Sequence, residues 1–230
     1  MKSFINRLFK LFAITMLIAL LFSISWVILY KFVDPPLTVL MVKRMFQHDE
    51  KKGDFRFEKD WADIDEISPN MVQAVVAAED NNFMTHFGVD WEAIQKARQI
   101  NKHSRIKHGA STITQQTAKN VFLFPSRTYF RKGLELYFTF LIEICWSKER
   151  IMEVYLNVIE MGRGIYGVEA ASQFYYKKSA KKLSKREAAM FATILPSPLK
   201  RNPAKPSRYM VAFQARIIGL MDKIGPVELK

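Results

Sequence analysis

Glu79 ends an apolar segment, MVQAVVAAED, whose pattern is typical of a helix. Val75 and Val76 lie four and three residues before Glu79, so a helix would carry the carboxylate on or beside its buried face. Because burial disfavours the charged form of an acid, this position predicts a raised pKa, as a general base or acid near neutral pH requires. A glutamate at a helix end is also a common surface residue, so the spacing alone leaves both interpretations open.

The stretch 93–134 contains nine lysines and arginines and no aspartate or glutamate. Solvated surfaces usually mix both signs of charge, so this stretch predicts a local positive field that attracts an anion. Contact with lipid head groups is the alternative for residues 102–107. The basic residues are Lys96, Arg98, Lys102, Arg105, Lys107, Lys119, Arg127, Arg131 and Lys132.

Two spacings within this basic stretch predict a binding site. A helix capped by Ser111 or Thr112 would place Ser111, Gln115 and Lys119 on one face. The free N–H groups of that helix, its dipole and the Lys119 ammonium would together hold a pyrophosphate. The amides of Gln115 and Gln116 would hydrogen-bond sugar hydroxyls or N-acetyl groups.

Arg127, Arg131 and Glu135 recur at intervals of four residues, the spacing that brings helical side chains together. Arg131 would keep Glu135 ionised, because a nearby cation favours the charged form of an acid. An ordinary salt bridge has the same spacing, so the pattern predicts either a site or a surface ion pair.

The composition limits the possible classes of protein. The 230 residues allow one domain with an appendage, and the single cysteine excludes a disulfide framework or a metal site built from cysteines. Four histidines without HExxH spacing exclude that class of metalloprotease. A net charge of +13 predicts an anionic partner, which composition alone leaves as nucleic acid, phospholipid or a phosphorylated substrate.

Residues 11–30 carry no charge and, as a helix, are long enough to span a bilayer, so they predict a transmembrane anchor. A cleaved signal peptide is the alternative, but its apolar core would be shorter. Lys2, Arg7 and Lys10 precede the span, which places the N-terminus in the cytoplasm by the positive-inside rule. Nucleic acid is then excluded as a partner, because the basic domain lies across the membrane.

The remaining chain is predicted to be mainly α. Ser68 with Pro69 begins one helix, Ser184 with Glu187 forms a capping box, and strand-like alternation is scarce. We therefore predict a cytoplasmic tail, a transmembrane anchor, a linker with a membrane-proximal segment, and a catalytic domain. Their bounds are 1–10, 11–30, 31–60 and 61–230.

Five motifs in order resemble the signatures of the peptidoglycan glycosyltransferases, family 51 of the glycosyltransferase classification. The first is EDNNFMTHFG, from Glu79 to Gly88, and the second is GASTITQQTAKN, from Gly109 to Asn120. The others are RKGLE, KERIMEVYLN with the following GRGIYGVEAASQFYY, and LSKREAAMFATILPSPLKRNP. The resemblance covers residues 61–203 and implies a lysozyme-like helical fold with a small membrane-facing jaw. No K-[ST]-G motif occurs, so it implies the monofunctional form without a transpeptidase domain.

The resemblance implies that lipid II and a growing glycan chain are the substrates, and that undecaprenyl diphosphate leaves as the anomeric centre inverts. It assigns the general base to Glu79 and an assisting catalytic role to Glu135. The positions it implies for substrate binding are Asp80, Phe83, His86, Ser111, Thr112, Gln115, Gln116, Lys119, Asn120, Arg127, Arg131 and Lys132.

The surroundings of this site follow from the same interpretation. Phe122 and Phe124 would contact the bilayer, since a polyprenyl tail stays in the membrane while its head group reacts. The sequence leaves the need for a divalent cation open, since no ligand cluster is visible beyond Glu79, Asp80 and Glu135. An Mg²⁺ or Mn²⁺ ion held mainly by the pyrophosphate would need no such cluster. Cell-division or cell-wall synthesis proteins are further candidate partners. The inner membrane, with a periplasmic catalytic domain, is the expected location. The rival functions are a lytic enzyme that cleaves glycan and a non-catalytic membrane-anchored scaffold.

Overall fold

A computed structural model describes residues 2–47, 56–104, 109–126 and 128–229. By internal contacts the chain divides into two compact units, Met1–Asp34 and Pro35–Lys230. The first unit is one helix, α1 (Lys2–Phe32), whose part Phe4–Phe32 has a mean hydropathy of 2.5. By length and composition this helix is able to cross a membrane, and it contains the predicted span 11–30.

The second unit is built from helices around two packing centres. The helix that ends at Glu79 packs against the two last helices of the chain, and the helix that carries Lys119 packs against the two that follow it. In the described residues the helices are α2 (Val39–Phe46), α3 (Pro69–Glu79), α4 (Trp91–His103), α5 (Ile113–Phe122), α6 (Tyr129–Cys145), α7 (Lys148–Val158), α8 (Val168–Tyr176), α9 (Lys185–Ala192) and α10 (Arg208–Ile224). This composition of elements confirms the mainly α prediction.

A small three-stranded sheet completes the second unit. Its strands are β1 (Glu58–Lys59), β2 (Glu160–Gly162) and β3 (Ile165–Tyr166), in the spatial order β1-β3-β2. β1 runs parallel to β3, and β2 runs antiparallel to it. Because β2 follows directly after α7, the sheet fixes the carboxyl end of that helix.

Two helix starts are formed as the sequence predicts. Ser68 caps α3 by accepting from the N–H of Asn70, with Pro69 in the first turn. Ser184 and Glu187 form the predicted capping box of α9. The buried side of α3, which includes Met71 and Val75, packs on α9 and α10 and so holds the end of α3 in place.

The segment before Trp61 is more than a linker. Residues from Pro35 onward belong to the same compact unit as the predicted catalytic domain, and α2 packs against α5. Thr38 caps α2, and Met41 is fully buried. The apolar residues of α2 therefore dock it onto the domain rather than leave it as a spacer.

Candidate active site

Glu79 lies at the carboxyl end of α3, where the apolar spacing places it. Burial raises the pKa of its carboxyl above the usual 4.5, and this effect exceeds those of the neighbouring cations Lys119 and Arg201. The Nε2 of Gln116 donates a 2.8 Å hydrogen bond to Oε2 of Glu79. The result is a partly desolvated carboxylate with one fixed donor, suited to accepting a proton near neutral pH.

The loop that follows Glu79 is tied to the start of α5 by Asp80. Oδ2 of Asp80 accepts from the backbone N–H of Ile113 at 3.0 Å, and both carboxylate oxygens contact Nε2 of His86 at 2.8 and 3.0 Å. Phe83 is fully buried, which corrects its predicted role: its ring packs in the core and is closed to substrate. Asp80 and His86 are thus engaged with each other, and substrate binding by either stays a prediction.

The N-terminus of α5 corrects the predicted binding face. Thr112 caps the helix, and Gln115 completes a capping box, with its Oε1 accepting from the N–H of Thr112. Gln115 is only 2% exposed, so its amide is not available to a sugar. Because the helix begins one residue after Thr112, the face that reaches the cleft carries Gln116, Lys119 and Asn120 instead. Thr112 also donates to the carbonyl of Gly88, which makes it a structural residue.

A basic cleft of 560 Å³ lies beside α5. Lys119 and Arg131 line it together with Arg44, which the sequence interpretation had not singled out. Burial lowers the pKa of the Lys119 ammonium below its usual 10.5, although the nearby carboxylates of Glu135 and Glu79 oppose this. Such a cleft offers positive charge and hydrogen-bond donors to a phosphate group.

Glu135 anchors the cations of this cleft. It is 3% exposed and forms ion pairs with Arg131 and Lys132, four and three residues away on α6. The predicted spacing of Arg131 and Glu135 therefore produces a buried pair rather than a surface one. Because its carboxylate is engaged by two cations, Glu135 holds them in position instead of facing an acceptor hydroxyl. Its predicted catalytic contribution stays a prediction.

A second cavity, of 690 Å³, shares Gln116 with the basic cleft. Glu79 and Ser111 line it together with Tyr209 and Phe213 of α10. Gln116 and Pro196 line both this cavity and the basic cleft. Gln116, which is hydrogen-bonded to Glu79, therefore connects the cavity of Glu79 with the cleft of Lys119 and Arg131.

Three residues beside the two cavities were not identified from the sequence: Arg44, Tyr155 and Arg201. Arg44 donates two hydrogen bonds, of 3.0 and 2.9 Å, to the carboxylate of Glu160, and both residues line the basic cleft. Tyr155 donates to Oε1 of Gln116 at 3.3 Å, and Arg201 stacks over Tyr209. Tyr155 and Arg201 lie inside two of the five motifs, so the signal was present but not assigned to them. Arg44 lies in the segment 31–60, which was expected to be a linker with a membrane-proximal segment.

The two predicted membrane contacts differ in the structure. Phe122 is 5% exposed and stacks on Phe138 at 4.8 Å, so it belongs to the core and the prediction for it is wrong. The period of α5 turns Phe122 inward, whereas Phe124 lies beyond the end of the helix. Phe124 is 73% exposed, and its contact with a bilayer stays a prediction. Arg127, Arg105 and Lys107 lie outside the described residues.

An all-protein metal site does not fit the described residues. They contain no group of three or more histidine, cysteine, aspartate or glutamate side chains able to hold a metal ion. In the basic cleft, the carboxylates of Glu135 and Glu160 are already engaged by arginine and lysine side chains. Glu79 alone would supply too few ligands to bind a divalent cation.

Comparison with known proteins gives one consistent result. The family model described as Transglycosylase matches residues 48–222. A biosynthetic peptidoglycan transglycosylase of Bdellovibrio bacteriovorus is 52% identical over 204 residues, covering 89% of this chain and 80% of that protein. One of Caulobacter vibrioides is 48% identical over 220 residues, covering 95% of this chain and 93% of that protein. One of Bacteroides thetaiotaomicron is 48% identical over 211 residues, covering 90% and 85%.

Proposed function

Because the chain belongs to the transglycosylase family and is a peptidoglycan glycosyltransferase with a lysozyme-like helical domain, we propose that it polymerises lipid II into β-1,4-linked glycan strands. The observation that carries this proposal is the placement of Glu79 next to the cleft of Lys119 and Arg131, with Gln116 bonded to Glu79 and lining that cleft. A carboxylate on one side and a phosphate-binding cleft on the other match the two ends of a glycosyl transfer from a lipid diphosphate.

Glu79 is the general base of the proposed reaction. It takes the proton of the acceptor sugar hydroxyl as the oxygen of that hydroxyl forms a bond to the anomeric carbon of the donor. Desolvation supports this role because it makes the carboxylate more basic than an exposed one. A carboxylate already engaged by two cations, as Glu135 is, would be a weaker proton acceptor.

The leaving group is stabilised in the basic cleft. As the bond from the anomeric carbon to the phosphate oxygen breaks, its electron pair goes to undecaprenyl diphosphate, and Lys119 and Arg131 balance the growing negative charge. Glu135 keeps Arg131 and Lys132 in place, so the cations need little rearrangement during the reaction. One direct displacement turns an α-linked donor into a β-linked product.

Membrane attachment fits a substrate with a polyprenyl tail. We place α1 across the inner membrane with its N-terminus in the cytoplasm, because basic residues such as Arg7 and Lys10 lie at that end. Exposed Phe124 follows directly on Leu123, a residue that lines the basic cleft, so it would contact lipid where the tail leaves the site. Any divalent cation would be held chiefly by the diphosphate of the substrate.

The test is polymer formation by the purified full chain. Lipid II in detergent or vesicles should yield glycan polymer and undecaprenyl diphosphate, and finished sacculi should release no fragments. A parallel reaction with a chelator determines the need for a divalent cation. Release of soluble fragments from sacculi, without polymer from lipid II, would overturn the proposal in favour of a lytic enzyme.

A further inference from the structure

Tyr155 is a buried tyrosine whose hydroxyl reaches the side chain that contacts Glu79. It lies on α7 with no exposed surface, and its OH donates to Oε1 of Gln116 at 3.3 Å. Nε2 of the same amide donates to Oε2 of Glu79 at 2.8 Å. The three side chains form one chain of hydrogen bonds, from tyrosine to amide to carboxylate.

We propose that Tyr155 is a positioning residue that holds the NH₂ group of the Gln116 amide toward Glu79 and thereby sets the protonation of that carboxylate. The proposal rests on the role of Glu79 as general base. Tyr155 itself acts only through Gln116 and accepts no proton.

The orientation of the amide matters because its two ends have opposite effects on a carboxylate. With NH₂ toward Glu79, Gln116 donates and stabilises the ionised form, which lowers the pKa of Glu79. Rotating the amide by half a turn would bring Oε1 against the carboxylate, where two acceptors repel. The same rotation would deprive the buried OH of Tyr155 of its acceptor, and an unpaired buried donor is costly.

Tyr155 is suited to be a permanent donor. Its burial raises the pKa of the phenol well above 10, and the nearby carboxylates of Glu79 and Asp80 raise it further. The phenol therefore keeps its proton throughout the working pH range. Three charged groups also act on the pKa of Glu79: Lys119 and Arg201 favour its ionised form, and Asp80 disfavours it. The substitution at Tyr155 leaves all three in place, so its effect on the pKa adds to theirs.

The test compares the pH dependence of kcat/KM for the wild type and Tyr155→Phe in the full chain, with lipid II as substrate. We expect the acid limb to move to higher pH by about half to one unit, the equivalent of one hydrogen bond, with little change in KM. 3-Fluorotyrosine in place of Tyr155 keeps the ring and makes the OH a stronger donor, so it should move the limb the other way. The 3-fluorotyrosine variant also tests the proposal if Tyr155→Phe folds poorly.

Two further variants separate this proposal from its alternatives. In a Gln116→Leu background, Tyr155→Phe should cause no additional shift, because Tyr155 acts through the amide. Tyr166→Phe, at another buried tyrosine that lines neither cavity, should leave the limb in place. An unchanged limb in both position 155 variants, or an equal shift in the Gln116→Leu background, would overturn the proposal.

The variant Glu79→Gln distinguishes a failure of the general-base assignment from a failure of the positioning role. If Glu79→Gln kept its turnover, the general-base assignment would fail, whatever the effect of Tyr155→Phe. If Glu79→Gln were inactive while the Tyr155 variants left the pH profile unchanged, the base would stand and the positioning role would fail. A carbon-13 NMR titration of the Glu79 carboxyl in Tyr155→Phe measures the same shift without relying on activity.

Discussion

The Nε2 of Gln116 and the Oε2 of Glu79 are joined by a 2.8 Å hydrogen bond that links α5 to the end of α3. Gln116 lines both the cavity that contains Glu79 and the basic cleft that contains Lys119. One amide side chain therefore stands between the group that would take a proton and the groups that would receive the leaving phosphate.

Lys119→Ala should lower kcat by about 10²–10³-fold, in line with about 2.7–4 kcal/mol for one donor that stabilises transition-state charge. The reason is that Lys119 is partly buried in the cleft and its charge is poorly screened by water. The measurement is steady-state polymerisation of lipid II by the purified variant. Lys185→Ala removes the same charge from a residue paired with Asp222 and should leave kcat unchanged. A tenfold or smaller loss for Lys119→Ala would contradict its phosphate role.

The pH profile of kcat/KM should be bell-shaped, with an acid limb set by Glu79 and an alkaline limb set by Lys119. The profile should be narrower than the interval between the usual pKa values of a glutamate and a lysine. The pKa of Glu79 is raised above 4.5, so activity should be lost as pH falls through that raised value, where the base becomes protonated. The pKa of Lys119 is lowered from 10.5, so activity should be lost as pH rises through that lowered value. Initial rates from pH 4 to 11 test this, and an acid limb at or below pH 4.5 would be inconsistent with a desolvated base.

Asp80→Asn should destabilise the protein by about 1–3 kcal/mol, because the buried N–H of Ile113 and the ring of His86 lose a charged acceptor. Thermal unfolding of the full chain measures the loss as a lower Tm. Asp222→Asn, at an exposed residue, is the matched control. If Asp80→Asn lost activity at an unchanged Tm, Asp80 would belong to the substrate site instead of the scaffold.

Arg44→Ala should destabilise the domain by about 2 kcal/mol near neutral pH, below the value for a fully buried pair because Arg44 is 35% exposed. Burial already raises the pKa of Glu160 above 4.5 in the folded state. For an acid with a raised folded pKa, stability falls as pH rises through that value, and removing Arg44 raises it further. The cost should therefore be small near pH 4.5 and larger at pH 8. Urea unfolding at both pH values tests this, and an equal cost at the two would contradict it.

Local sequence patterns correctly predicted where two helices begin. Ser68 with Pro69 and Ser184 with Glu187 lie where capping preferences place them, because a cap depends on neighbours only a few residues away. For Glu79 the spacing of the valines before it allowed either a desolvated or a surface carboxylate, and the structure shows the desolvated one.

The positions of several other side chains depend on contacts between residues that are distant in the sequence, and a local pattern does not predict these contacts. Gln115 and Gln116 are identical in type and adjacent, yet one is used in a capping box and the other contacts Glu79. A shift of one residue in the helix start decides between them. Arg44 meets Glu160 across more than a hundred residues of sequence, so its place at the cleft could not be read from its own segment. Phe122 was misplaced for a similar reason, since its partner Phe138 lies on another helix.

The turnover of Glu79→Gln on lipid II tests most directly whether Glu79 is the general base. The substitution keeps the size of the side chain and removes its capacity to accept a proton, so we expect a loss of about 10²–10⁴-fold in kcat. The Tm of the variant should stay close to that of the wild type, because the carboxylate has Gln116 as its hydrogen-bond partner and an amide oxygen can accept from it in the same way. Turnover close to that of the wild type in a folded Glu79→Gln protein would show that Glu79 is not the general base.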